Sequence, residues 1–288
     1  MKHKTWSLFA VFCFVLMGGT VSAAPLTEQK ATALLSASGV AATLEQISDG
    51  MSKGIKESAN GSMPSDQRRM MVETYAKTFT PERLKSVVRA ELVAAISNEQ
   101  ADELLSWYQS PTGRKFVAAD VKANGADDEP SALLKKGMDE LGNTPRRRVA
   151  LYKEYVKASR QAELATTLTL RMMTAVAVST AKMQGMTDPA MLTAIVQKMQ
   201  SNKQAMVDQM YSLALAGSAV RYKPMTDAEV ERLVAFERTP SEQKFADTVV
   251  NGLDKAMVAA MVELVDAIGQ PAKRKTDTIR RGAESLTS

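Results

Sequence analysis

Five times along this chain a capping side chain stands directly before a proline: Thr80-Pro81, Ser110-Pro111, Thr144-Pro145, Asp188-Pro189 and Thr239-Pro240. The side-chain oxygen accepts from an orphan amide of a first helical turn, and the fixed φ of proline pre-sets that turn. Each pair therefore reads as a helix start. Between the starts, apolar residues recur at helical spacing. Val40, Leu44, Ile47, Met51 and Ile55 fall at steps of 4, 3, 4 and 4, which puts them on one face. Leu164, Leu168, Met172, Val176 and Met183 do the same, with Ser179 as a polar interruption. Ser97/Gln100, Thr226/Glu229 and Thr239/Glu242 have capping-box spacing. Asn60-Gly61, Gly142, Gly185 and Gly269 suit C-terminal caps. No stretch sustains the period-two alternation of a strand. The expectation is an all-α protein of many short helices.

The first residues read as an export signal. Lys2, His3 and Lys4 form a positive n-region, Trp6 to Met17 an apolar-leaning run of 12 residues, and Val21-Ser22-Ala23 a small-residue cleavage site. The run is far short of the roughly 20 residues that span a bilayer. Ala10-Val11-Phe12 before Cys13 lacks the small residues of a lipidation site. Residues 1–23 are thus expected as a signal peptide of a secreted or periplasmic bacterial protein, with no transmembrane segment after its removal. The single histidine, His3, and the single cysteine, Cys13, leave with it. Without imidazole or thiol there is no Ser-His-Asp or Cys-His catalysis, no Cys/His zinc site, no haem ligation by those residues and no disulfide. No cofactor is expected.

The net charge of +5 at first suggests nucleic acid, but it is confined to the chain ends. Lys2 and Lys4 belong to the signal. Lys273, Arg274, Lys275, Arg280 and Arg281, against Asp277 and Glu284, account for the rest. The body from Ala24 to Ile268 is neutral, with no basic stripe interleaved with aromatics, so nucleic acid is not an expected partner. Residues 271–288 are expected as a basic disordered tail.

An internal repeat emerges when residues 96–121 are laid on 225–250. Without a gap, Ser97 meets Thr226, Leu104 meets Leu233, Trp107 meets Phe236, Ser110-Pro111 meets Thr239-Pro240, and Lys115-Phe116 meets Lys244-Phe245. A weaker match links Ala37–Leu44 to Lys157–Leu164. The organisation predicted is a tandem of two similar multi-helix units. Residues 24–143 form the first repeat with a linker helix over Pro130–Leu141, and residues 144–270 form the second.

The first copy reads Leu104-Leu105-Ser106-Trp107-Tyr108-Gln109-Ser110-Pro111-Thr112-Gly113-Arg114-Lys115-Phe116. It resembles the signature of the domain of unknown function 2059 family, small helical domains of exported bacterial proteins. The second copy departs from the pattern: Glu237 replaces Tyr108 and Glu242 replaces Gly113. The resemblance implies an exported helical domain and no chemistry. Physically, Ser110 caps a helix that Pro111 starts, which forces a corner, and Trp107 and Phe116 flank it. Gly113 leaves room for close backbone approach, and Lys115 can lay its stem on the rings. The functional counterpart of this corner is a small binding surface of Trp107, Tyr108, Arg114 and Lys115.

Other candidates carry less. Sixteen methionines remain beyond Met1 and Met17, many at helical spacing. They read first as filler between aromatic-poor helices, then as walls of an apolar groove for a lipid or partner helix, and least as soft ligands for Cu(I). Glu91, Glu103 and Glu231 are available for glycoside hydrolysis but sit among ordinary exposed charges. Asp127-Asp128-Glu129 reads as linker, and Arg146-Arg147-Arg148 as a solvated helix face. The sequence thus predicts an exported cell-envelope protein that binds or scaffolds an unknown protein, lipid or envelope component. The alternative is a carboxylate-dependent enzyme of cell-wall sugars. A buried acidic pair in a cleft would favour the enzyme, and an elongated apolar groove would favour binding.

Overall fold

The computed structural model describes residues 25–58, 65–125, 130–183, 186 and 188–285. The expected signal peptide, Asn60-Gly61, Gly185 and Asp127-Asp128-Glu129 lie outside them. The described chain is all-α. Its helices are α1 (Glu28–Ala37), α2 (Val40–Ser58), α3 (Ser65–Thr78), α4 (Pro81–Ala95), α5 (Asn98–Tyr108), α6 (Pro111–Asn124) and α7 (Pro130–Gly142). There follow α8 (Arg146–Ser159), α9 (Gln161–Met183), α10 (Pro189–Ser201), α11 (Lys203–Arg221), α12 (Asp227–Glu237) and α13 (Pro240–Ser285). The one β-type pairing among the described residues is an isolated bridge from Pro25 to Ser97, beside which Asn98 Nδ2 donates to the Pro25 carbonyl at 2.9 Å.

Most helix starts follow the capping logic. Thr80, Ser110 and Asp188 each accept from a first-turn amide with the proline just inside the helix. Complete capping boxes close at Ser97/Gln100 and Thr226/Glu229. Three expectations need correcting. Thr144 does not cap α8; its hydroxyl donates back to the Glu140 carbonyl at 2.7 Å, sealing the end of α7, and Pro145 itself occupies the N-cap. At Thr239 half of the box forms, because the Glu242 amide donates to Thr239 Oγ1 at 3.2 Å while the Glu242 carboxyl turns inward to Tyr108. Gly269 does not end a helix: α13 is continuous for 46 residues, through the stretch expected as a tail.

The two expected halves share one core. Leu34, Val88, Leu92 and Leu104 from the first half belong to the same buried cluster as Tyr155, Tyr222, Leu233 and Leu253 from the second. The long helix α13 joins them. It runs along α4 and also packs on α3, α5 and α9. At the crossing with α4, a Cβ on Gly252 would stand 2.8 Å from Val88 Cα, so only glycine permits this approach. Elsewhere α11 packs on α7, α8 and α9, α12 on α8 and α6, and α1 on α4 and α5. Met225 and Met257 are buried in the core, which suits the filler role.

Candidate functional site

The corner predicted at Ser110-Pro111 is present. Ser110 Oγ accepts from the Gly113 amide at 3.0 Å, and α5 and α6 meet there. A Cβ on Gly113 would lie 2.1 Å from the Trp107 carbonyl oxygen, so the two helices touch through bare backbone. The Trp107 and Phe116 rings pack edge to face across the angle, with centroids 5.6 Å apart.

The four residues expected to form a binding surface are spread over three environments. Trp107 is half-buried and lies flat on Phe236, with centroids 3.7 Å apart. Tyr108 is 4% exposed and points inward, where its hydroxyl donates to Glu242 Oε2 at 2.9 Å. Arg114 is exposed and bonds to the Gln109 carbonyl of its own corner. Lys115 bridges to Glu229 at 2.9 Å. Of the four, Tyr108 lines the cavity described below.

The contacts around Trp107 and Phe236 come in exchanged pairs. Lys115 Nζ donates to Glu229, and the matched Lys244 Nζ donates to Gln100 Oε1 at 3.2 Å, Gln100 being the counterpart of Glu229. Arg232 Nε donates to Thr112 Oγ1 at 3.2 Å, and Ser241 Oγ, the counterpart of Thr112, donates to Glu103, the counterpart of Arg232. One pair breaks the pattern. Tyr108 bonds to Glu242, but exchanging those positions gives Glu237 and Gly113, and glycine has no side chain to offer. The Glu237 carbonyl accepts from Gln243 Nε2, but among the described residues its carboxyl has no hydrogen bond or ion pair.

Glu237 and Glu242 line a cavity of about 240 Å³ between the α5–α6 and α12–α13 corners. Leu44, Ile47, Phe116, Phe245, Val249 and Leu253 supply apolar wall, and Tyr108, Asp120 and Gln161 supply polar groups. Both glutamates are 6% exposed. Burial, with the nearby Asp120 charge adding to it, pushes the Glu237 carboxyl up to about 8. Burial and the neighbouring Glu237 push Glu242 well above the carboxylate range, against the Tyr108 hydrogen bond. Burial thus favours the protonated, neutral form of both carboxyls.

A directed hydrogen-bond chain borders the cavity. Gln161 Nε2 donates to Tyr155 Oη at 2.6 Å, and the Tyr155 and Tyr222 hydroxyls are 2.9 Å apart. Tyr222 donates to Asp120 at 2.6 Å, and Arg221 Nη1 reaches the same oxygen at 3.0 Å. Because the Tyr222 proton is committed to Asp120, Tyr155 must be the donor between the two phenols. Burial pushes both phenols well up, so neither ionises near neutral pH.

Sequence reasoning singled out Tyr108 but missed Glu237, Glu242, Asp120, Tyr155 and Tyr222. A signal for Glu237 existed. It follows Val230 and Leu233 at steps of 7 and 4 on the buried face of α12, where a carboxylate has no business in a solvated helix. The carboxylates weighed for catalysis lie elsewhere: Glu91 pairs with Lys255, Glu103 with Ser241 and Glu231 with Arg147. The arginine run is not simply a solvated face either. Arg147 pairs with Glu231, but Arg148 is 7% exposed. It bonds to Asp227 and to the Tyr222 and Met225 carbonyls, because the α11 end presents acceptors that α8 can reach.

Two further hollows are present. Met172, Met173, Val176, Ala177 and Met199 line a shallow apolar one between α9 and α10. A groove of about 490 Å³ lies between α6, α7 and α11, but two of its cations, Arg221 and Lys223, are occupied by Asp120 and Glu140. Among the described residues, no three His, Cys, Asp or Glu side chains converge as metal ligands do, and no helix is long and apolar enough to cross a membrane. No protein-family model, curated protein or solved structure matches the chain, so the functional reading rests on these residues.

Proposed function

We propose that this chain is an exported cell-envelope binding protein and that its central cavity holds a small ligand. The observation that carries this is Glu237: a carboxyl buried without a partner, on the wall of a cavity. A ligand that donates to this carboxyl makes a hydrogen bond that the described protein does not supply. The cavity falls below the ~300–1,000 Å³ that drug-sized ligands occupy, which suits a small molecule. Native mass spectrometry of protein purified from its host envelope tests the reading. A retained small molecule is expected in the parent, and it should be absent from Ala246→Phe, which fills the cavity. Retention of the same molecule by Ala246→Phe would refute the reading.

Export and ancestry belong to the same proposal. The n-, h- and c-regions of residues 1–23 support processing to an N-terminus at Ala24, which mass spectrometry of the exported protein reads directly. A retained Met1 or a lipid on Cys13 would refute it. The exchanged contacts support a view of 96–121 and 225–250 as diverged copies packed about a local two-fold, the way two identical subunits would meet. The Trp107 to Phe116 motif likewise supports membership of the domain of unknown function 2059 family.

A carboxylate-dependent enzyme of cell-wall sugars is the second reading, favoured by the presence of Glu237 and Glu242 in one cavity. Glycoside hydrolysis needs an ionised carboxylate opposite a protonated acid. Burial raises both glutamates and Asp120 as well, and of the three Asp120 has the strongest support for its charged form, from Arg221 and Tyr222. Release of soluble sugars from purified cell wall, abolished in Glu242→Gln, would support the enzyme over the binding protein.

A further inference from the structure

The cavity gathers acids and phenols and no free cation. Its titratable lining groups are Tyr108 from α5, Asp120 from α6, Glu237 from α12 and Glu242 from α13, and Tyr155 from α8 with Arg221 and Tyr222 from α11 stand behind Asp120. Arg221, the single cation among them, is bound to Asp120. The nearest basic side chains of α13 and the α8–α9 junction are also occupied, Lys244 by Gln100 and Arg160 by Asp247. Glu237 is 6% exposed and its carboxyl has no partner among the described residues, and Glu242 has one oxygen taken by Tyr108. Around these carboxyls stand aromatic and aliphatic walls, including Phe116, Phe245 and Leu253.

We propose that the cavity binds a small organic cation, a primary ammonium on a short apolar body, with the ammonium held by Glu237 and Glu242. This rests on the binding reading above and specifies its ligand chemistry. An ammonium has three donors and no acceptor, which matches open carboxyl oxygens better than a neutral alcohol does. Phenyl and phenol faces lining the cavity add cation–π attraction, and the aliphatic wall takes the carbon body. A bare metal ion fits less well, since no third acidic or soft ligand converges with the two glutamates among the described residues. Burial shifts both carboxyls toward their protonated forms, so a carboxyl that pairs with the ammonium releases the proton it carries to solvent.

Calorimetric titration with n-butylamine, n-butanol and butyrate at pH 7.5 tests this. The full chain without its signal is used, in two buffers of different ionisation enthalpy. Butylamine is expected to bind with release of about one proton, seen as a buffer-dependent heat, and to raise the thermal midpoint. Butanol and butyrate should bind at least about tenfold more weakly. Glu237→Gln keeps the shape and should lose about tenfold or more in butylamine affinity, while melting no lower than the parent. Equal binding of amine and alcohol, absence of amine binding, or an unchanged affinity in Glu237→Gln would overturn the cation. If native mass spectrometry still finds a neutral molecule that Ala246→Phe excludes, the binding reading survives that failure. If no molecule is found and neither amine nor alcohol binds, both fall.

Discussion

Trp107 lies parallel to Phe236, with ring planes 4° apart and centroids at 3.7 Å, and the two residues hold the same place in the two matched blocks. Tyr108 closes on the Phe236 edge at 5.3 Å, so the stack continues into the polar cavity. The ring contact thus joins the two corners, and Tyr108 carries it to the wall of the site.

Trp107→Ala empties a half-buried aromatic site and is expected to lower stability by about 3 kcal/mol, read by chemical denaturation. A double-mutant cycle with Phe236→Ala should return a coupling of about 1 kcal/mol, the usual worth of an aromatic pair beyond its area. Strict additivity would mean that the stack contributes nothing specific. Trp107 is the only tryptophan after Trp6, so its emission reports on this contact alone.

Gly113→Ala should be far more damaging than its single methyl suggests. The added carbon meets the Trp107 carbonyl and Tyr108 Cα, backbone that cannot rotate away. A loss of about 3 kcal/mol or more is expected, measured as a fall in denaturation midpoint. A change within about 0.5 kcal/mol would show that α5 and α6 do not meet through bare backbone.

Arg148→Ala removes a buried donor from the Met225 and Tyr222 carbonyls, the latter keeping the Met225 amide, and the closer of the two arginines from Asp227, at a cost of about 2–3 kcal/mol. Arg147→Ala, on the exposed neighbour, should cost no more than about 1 kcal/mol. Equal losses at the two positions would contradict the buried role of Arg148.

The pH dependence of stability has a definite sign. Glu237 is raised to about 8 in the folded state, and unfolding returns it to an ordinary carboxylate near 4.5. Between these values the folded form holds a proton that the unfolded form has lost, so its contribution to stability falls as pH rises and levels off above about 8. The slope is about 1.4 kcal/mol per pH unit for one such group. Glu237→Gln should flatten this fall and raise the midpoint at pH 7. A parent whose stability climbs from pH 5 to 8, with Glu237→Gln unchanged, would refute it. Glu229 works the other way: Lys115 and the Thr226 amide hold it down at about 2, so its contribution is present above about 4.5 and is lost as pH falls through 2.

Helix starts were legible because capping is local: the chemistry of Ser110-Pro111-Thr112-Gly113 is complete within one turn. The exception at Thr144 arose because a neighbouring carbonyl, that of Glu140, competed for the same hydroxyl. The site was poorly legible because its members come from α5, α6, α8, α11, α12 and α13. Glu237 and Glu242 stood out in the sequence only as departures from the first copy. Packing turns those departures into chemistry: the partner that Tyr108 offers Glu242 has no counterpart at Gly113, so Glu237 stays open. Arg148 was misread for a related reason, since nothing local reveals that Tyr222 and Met225 carbonyls will arrive beside it.

The course of α13 has a consequence for the order in which the molecule can be completed. Val88 and its neighbours on α4 are covered by a helix that begins at Pro240, so this face stays wet until most of the chain has been synthesised. Contacts of such sequence separation slow folding and expose apolar surface while the chain waits. A chain that emerges from its N-terminus therefore holds α4 unfinished until residues 240–264 arrive.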